Sequence, residues 1–153
     1  LTAAHTDPRI EWLGRIDDAE RDRRLAGATV FCAPSLRGES FGVILLEAMA
    51  VGTPVVASDI EGYLKVATAP APDGSVPDPP AARLVASDDP DALGRALSEL
   101  LGDPAALEEL RRSGLDRARR FDMELLADLY VERYRRLLGS SVPVDGRGAR
   151  AGR

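Results

Sequence analysis

The chain has almost none of the side chains on which redox, metal or disulfide chemistry depends. In 153 residues there is one cysteine, one histidine and one tryptophan, and aromatics make up 5% of the composition. A single thiol excludes a disulfide framework, and its place in the apolar run around Cys32 predicts a reducing, cytoplasmic setting. Cys32 also lacks a basic neighbour in sequence to activate it, and a buried thiol is usually inert, so it is not read as a nucleophile. His5 is expected on the surface ahead of the first strand, which leaves neither a histidine-containing metal site nor a Ser/His/Asp triad to support. No metal ligands are assigned. Lysine is nearly missing: Lys65 stands alone, and the other basic residues are arginines. No apolar run approaches the ~20 residues of a membrane span, and no signal-peptide pattern is visible. With 25 acidic against 20 basic residues the formal charge is −5, and the arginines lie on helices that also carry acids. Nucleic acid is therefore excluded as a main partner, because binding to its backbone needs a concentrated basic face.

What remains is an alternating pattern. Residues 9–13 read as a strand, 18–26 as a helix with acids at its start, and 29–33 as a short buried strand. A helix over 41–51, a strand over 54–58, a helical turn over 62–66 and a strand over 83–86 follow. This βαβα order implies an α/β fold with a doubly wound parallel sheet and right-handed crossovers. Ligands of such sheets bind where the strands' carboxyl ends emerge, which brings residues 15–18, 34–42 and 59–62 to one edge. Residues 67–81, with five of the eleven prolines, read as a mobile surface loop. Helices are expected over 91–101, 104–120 and 123–138 from their apolar spacing. The arginines at 111, 112, 117, 119 and 120 read as a solvated face, with a basic patch for anionic lipid as the alternative. Residues 1–138 thus read as one domain and 139–153, rich in glycine and arginine, as a disordered tail.

The chemistry concentrates in Gly38-Glu39-Ser40-Phe41-Gly42-Val43-Ile44-Leu45-Leu46-Glu47-Ala48-Met49-Ala50, followed by Val51-Gly52-Thr53-Pro54-Val55-Val56-Ala57-Ser58. Gly38 and Gly42 let the backbone approach a ligand closely, since neither carries a Cβ. Val43, Leu46, Met49 and Ala50 fall at helical spacing on one face, and Gly52 and Pro54 stop the helix. The amides of residues 40–43 at the helix start form a seat for a diphosphate. Gly42 and Glu47 lie roughly 7 Å apart along the axis at ~1.5 Å of rise per residue, comparable to the reach from a β-phosphate to a ribose. One carboxylate then suits a sugar and the other a ribose diol. For isolated glutamates the alternative is a solvated Glu39 and a capping or salt-bridged Glu47; the glycine frame and the following strand favour the site.

These residues resemble the signature of the retaining glycosyltransferases of family 4, over residues 10–138. Within the family, Trp12-Leu13-Gly14-Arg15-Ile16-Asp17-Asp18 and the motif from Glu39 to Ala50 look closest to the phosphatidylinositol mannosyltransferases. The resemblance implies a GT-B enzyme of two facing Rossmann-like domains, of which this chain would be the C-terminal, donor-binding one, truncated at its N-terminus. The Arg and Lys that hold the diphosphate in the family have no counterpart here, and the proline-rich 67–81 stretch departs from the family's short glycine turn. By resemblance Glu39, the catalytic residue, holds the donor sugar's hydroxyls. Ser40, Phe41, Gly42 and Val43 bind sugar or phosphate, Glu47 takes the ribose hydroxyls, and Ile16 and Asp18 flank the base. A carboxylate at Asp18 accepts the paired N–H groups of guanine, which uracil lacks, although Asp18 equally suits a helix start. The implied donor is a nucleotide diphosphate sugar, GDP-mannose first, with a divalent cation on its diphosphate as an option and no tightly bound cofactor. The implied acceptor is of the phosphatidyl-myo-inositol kind, held mainly by the facing domain, with peripheral contact at the inner membrane face. In the family the last helix also packs back on the facing domain. Two alternatives stay open: another nucleotide sugar and acceptor, and a non-catalytic Rossmann-like module that binds a nucleotide or partner.

Overall fold

The computed structural model describes residues 7–71 and 73–139, so His5 and all but the first residue of the tail expected over 139–153 lie outside the described residues. The element order is α1 (Asp18–Gly27), β1 (Phe31–Ala33), α2 (Val43–Ala50), β2 (Val55–Ser58), α3 (Glu61–Thr68), β3 (Arg83–Val85), α4 (Pro90–Leu101), α5 (Pro104–Arg119) and α6 (Met123–Leu138). The three strands form one parallel sheet in the order β1-β2-β3, with Val56 of β2 opposite Cys32 on one side and Arg83 on the other. Because β2 is central and covered on both faces, all four of its residues are buried. Val55 and Ala57 face a core shared with Leu45, Ala48 and Met49 of α2 and Tyr63 and Val66 of α3. Val56 turns to a second core with Ala96 and Leu100 of α4, backed by Leu107 and Leu110 of α5. Helices on both faces of a parallel sheet make this a doubly wound, Rossmann-like α/β unit.

Helix starts follow a rule readable in the chain. Asp17, Asp89, Asp103 and Asp122 each cap a helix by accepting backbone N–H groups, and Pro90 and Pro104 take the first helical position where no N–H is needed.

The strand expected over 9–13 does not form. β1 has no second strand neighbour among the described residues, and alternation of apolar side chains cannot replace a missing hydrogen-bonding ladder. Ile10 and Trp12 are 48% and 71% exposed, and Glu11 instead clasps Arg24 of α1 through bonds of 2.6 and 3.0 Å. The motif helix begins at Val43 rather than Phe41, because Gly42 is its N-cap in the left-handed region at φ 93°. Its buried face is Leu45, Ala48 and Met49, while Val43 is 56% exposed and Ala50 is also outward. A helix apolar on nearly every side gives periodicity little with which to choose a face.

The proline-rich stretch is tied down rather than loose. Ala81 N–H bonds Ala67 O, Ser113 Oγ bonds Pro79 O at 2.9 Å, and Asp73 accepts from Arg120 at 3.1 Å, with Ala71, Ala81 and Ala82 buried beneath. The solvated arginine face is also corrected at one position: Arg117 is 1% exposed.

Candidate functional site

Between β1 and α2 the chain turns through Glu39 to Gly42, and the carboxylate of Glu39 folds back onto the turn. Its Oε1 accepts from Phe41 N at 3.2 Å and Gly42 N at 2.9 Å. Those two amides were expected to stand open for a diphosphate; here Glu39 occupies them. They hold its carboxyl below the usual carboxylate range, first through Phe41 and then Gly42, against an opposing desolvation. Glu39 is therefore ionised at neutral pH and accepts hydrogen bonds rather than delivering a proton. A carboxylate has about four lone-pair sites, so hydroxyl donors of a ligand can add to the two loop amides. Ser40 and Val43 are exposed beside it, and Gly42 is buried.

The turn rests on α3. A Cβ on Gly42 would meet Tyr63 Cδ1 at 2.9 Å, and one on Gly62 would meet Glu39 O at 2.5 Å, so two glycines permit this approach. Tyr63 is 3% exposed, and its hydroxyl shares a 2.9 Å hydrogen bond with Ser35 Oγ from the loop after β1. The loop after β1 is thereby tied to the first turn of α3, at the sheet's carboxyl edge.

Glu47 lies one turn into α2, its side chain 34% exposed, with Oε1 3.6 Å from Arg21 Nη2. Arg21 Nη1 meets Asp18 Oδ1 at 3.0 Å. One guanidinium thus stands between the carboxylate expected at the ribose and the carboxylate expected at the base. Asp18 does not cap α1, since Asp17 does; it remains 90% exposed in the first turn. Ile16 precedes α1 and is half-buried. The structure therefore brings Asp18 and Glu47 together and keeps Glu39 to Val43 contiguous. Sequence reasoning missed Arg21, whose only signal was its three-residue spacing from Asp18, and Tyr63 and Ser35, whose pairing is purely tertiary.

Among the described residues no group of three or more His, Cys, Asp or Glu side chains is able to hold a metal ion. Cys32 is half-buried, and desolvation raises its thiol above the ordinary value, as suits a packing residue. No described helix is long and apolar enough to cross a membrane. A cleft of about 520 Å³ between Pro79, Pro80, β3, α4 and α5 lies apart from the donor loop and contains none of its residues.

A doubly wound sheet with a glycine-framed loop and two glutamates around one helix start coincides with a family match. The family model for glycosyl transferases group 1 covers residues 2–119. The chain belongs to that family. Proteins similar to it include the phosphatidyl-myo-inositol mannosyltransferase of Mycobacterium leprae, 39% identical over 89% of this chain and 34% of that protein. The protein of the same name from Mycolicibacterium smegmatis is 35% identical over 92% of this chain and 34% of its own length. A D-inositol 3-phosphate glycosyltransferase of Nocardioides is 33% identical over 88% of this chain and 27% of that protein. The chain spans about a third of the length of the mannosyltransferases it matches. Among solved structures, sucrose-phosphate synthase of Thermosynechococcus elongatus superposes with a TM-score of 0.69 at 31% identity, covering 87% of this chain and 31% of that one. Anabaena HepE, in complex with UDP and glucose, shares the fold with a TM-score of 0.66 at 20% identity, over 89% of this chain and 33% of its own.

Proposed function

We propose that this group 1 chain is the donor-binding half of a two-domain retaining glycosyltransferase, one that moves mannose from GDP-mannose to an acceptor such as phosphatidyl-myo-inositol. The observation that carries it is Glu39, a carboxylate kept ionised by Phe41 and Gly42 amides at the mouth of a helix start. In this reading Glu39 accepts the donor sugar's hydroxyls while it holds the amides of Phe41 and Gly42, the loop of residues 40–43 at the start of α2 borders sugar and diphosphate, and Glu47 takes the ribose diol. Ile16 and Asp18 border the base. A fixed carboxylate beside the reacting sugar orients it and stabilises the positive charge that develops at the anomeric carbon during transfer. The acceptor site belongs to the facing half. An acceptor of this kind lies in a membrane, so peripheral contact at its cytoplasmic face belongs to the same proposal.

The test is Glu39→Gln in the complete enzyme. It keeps shape and removes charge, so transfer falls about a hundredfold, equivalent to ~2.7 kcal/mol, while affinity for free GDP stays within about twofold. Wild-type turnover sinks the sugar-binding role, and an equal loss of GDP affinity shows that the residue faces the diphosphate instead. A different nucleotide sugar and acceptor is the second reading: Asp18, expected at the base, is exposed and already paired with Arg21, and one relative is named for D-inositol 3-phosphate rather than a phosphatidylinositol. Thermal shifts of the chain with GDP and with UDP separate the two.

A further inference from the structure

Beyond Glu39 itself, the donor loop makes a side-chain contact that none of the expected site residues accounts for. The ring of Phe41 meets Phe121 edge-on, with centroids 5.8 Å apart and planes at 69°. Phe121 follows the last turn of α5, its N–H bonded to Ala118 O at 3.0 Å. The Arg117 guanidinium stands over its ring, 4.6 Å from the centroid. Arg117 is fixed in turn: it is 1% exposed, and donates from Nε to Val66 O at 2.6 Å and from Nη2 to Lys65 O at 3.0 Å and Ala69 O at 2.6 Å. Phe41's own amide donates to Glu39. A continuous row of contacts therefore runs from the last carbonyls of α3 through Arg117, Phe121 and Phe41 to the Glu39 carboxylate.

We propose that Phe121 is a positioning residue for Glu39: its ring, held by Arg117, sets Phe41 and with it the angle at which the donor loop presents the carboxylate. The inference rests on the reading of Glu39 as the donor-sugar residue. An aromatic ring is required because both contacts use the ring's charge distribution, a T-shaped contact with Phe41 and a face toward the guanidinium. Leucine fills much of the volume but offers neither. Phe121 is not among the residues proposed to hold the donor, so its effect reaches the reaction through geometry, where displacements near 1 Å cost on the order of a hundredfold.

The experiment compares Phe121→Leu with Phe121→Tyr. In the full chain, hydrogen exchange is followed at the Phe41 and Gly42 amides that donate to Glu39, with the β2 amides as reference. Phe121→Leu is expected to speed exchange at those two amides about tenfold and leave β2 unchanged, and Phe121→Tyr to restore protection within about twofold. In the complete enzyme, with GDP-mannose and phosphatidyl-myo-inositol as probes, Phe121→Leu lowers kcat about tenfold while affinity for GDP stays within about twofold. Unchanged exchange overturns the proposal, as do equal effects of leucine and tyrosine. A GDP affinity that falls in step with kcat also overturns it, because general loosening then explains the loss. Failure of the underlying reading is seen separately: Glu39→Gln with wild-type turnover removes the sugar role and the link to kcat, while the exchange measurement, which needs no substrate, still decides whether Phe121 sets the loop.

Discussion

Glu47 offers the sharpest residue-scale contrast with Glu39. In the proposed site it meets the nucleotide rather than the sugar, and a charge-assisted bond to a ribose diol contributes ~1.5–3 kcal/mol. Glu47→Ala in the complete enzyme should therefore weaken free GDP by roughly tenfold to a hundredfold, read by titration calorimetry. Arg21 keeps Asp18 and Asp22 as partners in that variant, so the loss is not that of a stranded cation. Unchanged GDP affinity removes the role. Gly42 is tested by stability instead. At φ 93°, with Tyr63 Cδ1 waiting 2.9 Å from any Cβ, Gly42→Ala meets left-handed strain of about 1–2 kcal/mol and a contact that must give. Urea unfolding should show at least that loss, and a variant as stable as the parent means that the loop turns elsewhere. Both glutamates and Gly42 were legible because their chemistry is local: a carboxylate, a missing Cβ and a helix start lie within nine residues. Arg21 and Phe121 were not, since their meaning depends on partners 26 and 80 positions away.

Elements were legible where they carry their own punctuation and misread where they depend on a neighbour. The helices opened by Asp17, Asp89, Asp103 and Asp122 sit within a residue of their expected starts, because the cap is written beside the first turn. Residues 9–13 failed as a strand for the opposite reason, and what holds them is an ion cluster. Arg24 joins Glu11 and Glu20, and hydrogen bonds from Arg23 and Arg24 lower the Glu20 carboxyl to about 2. A carboxyl depressed on folding contributes stability above its ordinary value near 4.5 and loses it as pH falls toward about 2. The clasp on residues 9–13 runs through Glu11, whose carboxyl the Arg24 hydrogen bonds lower in the same way, so it should loosen as pH falls below the ordinary carboxyl value. Trp12, next to Glu11 and the chain's one tryptophan, reports it as a fluorescence change on acidification below the ordinary carboxyl value, weakened by salt. A flat signal from pH 5 to 2 rejects the clasp. Arg117 marks the same limit of sequence reading. Five arginines between 111 and 120 look solvated, yet one turns inward to hold the carboxyl end of α3. Arg117→Met leaves acceptors at Lys65, Val66 and Ala69 without their donors and should cost about 2 kcal/mol or more in thermal or urea unfolding. Neutral stability instead means that relief from burying the charge offsets those bonds.

At the scale of the molecule, the doubly wound sheet was legible from the order of its elements, whereas what lies against its outer surfaces was not. β1 ends the sheet on one side, and α6 carries Met123, Tyr130, Tyr134, Leu137 and Leu138 at 57–73% exposure with no buried residue. A helix of this length with an apolar face left outward is built to be covered. In the proposed two-domain enzyme the facing half supplies that cover together with the acceptor site, and transfer requires the halves to close around the donor so that water is excluded and Glu39 meets the sugar in a fixed geometry. Residues 1–153 alone should therefore bind but not transfer. The purified chain is expected to gain thermal stability with GDP, since Glu47 and the loop at the start of α2 are present, yet to leave GDP-mannose intact in the presence of phosphatidyl-myo-inositol. Mixing it with a separately expressed facing half should restore labelled product if the halves associate. Turnover by the chain alone would show that one domain carries both donor and acceptor chemistry, and would remove the two-domain mechanism with it. Absence of any GDP shift would place the fault one level lower, in the donor loop, where the Glu39 carboxylate already occupies the amides of Phe41 and Gly42.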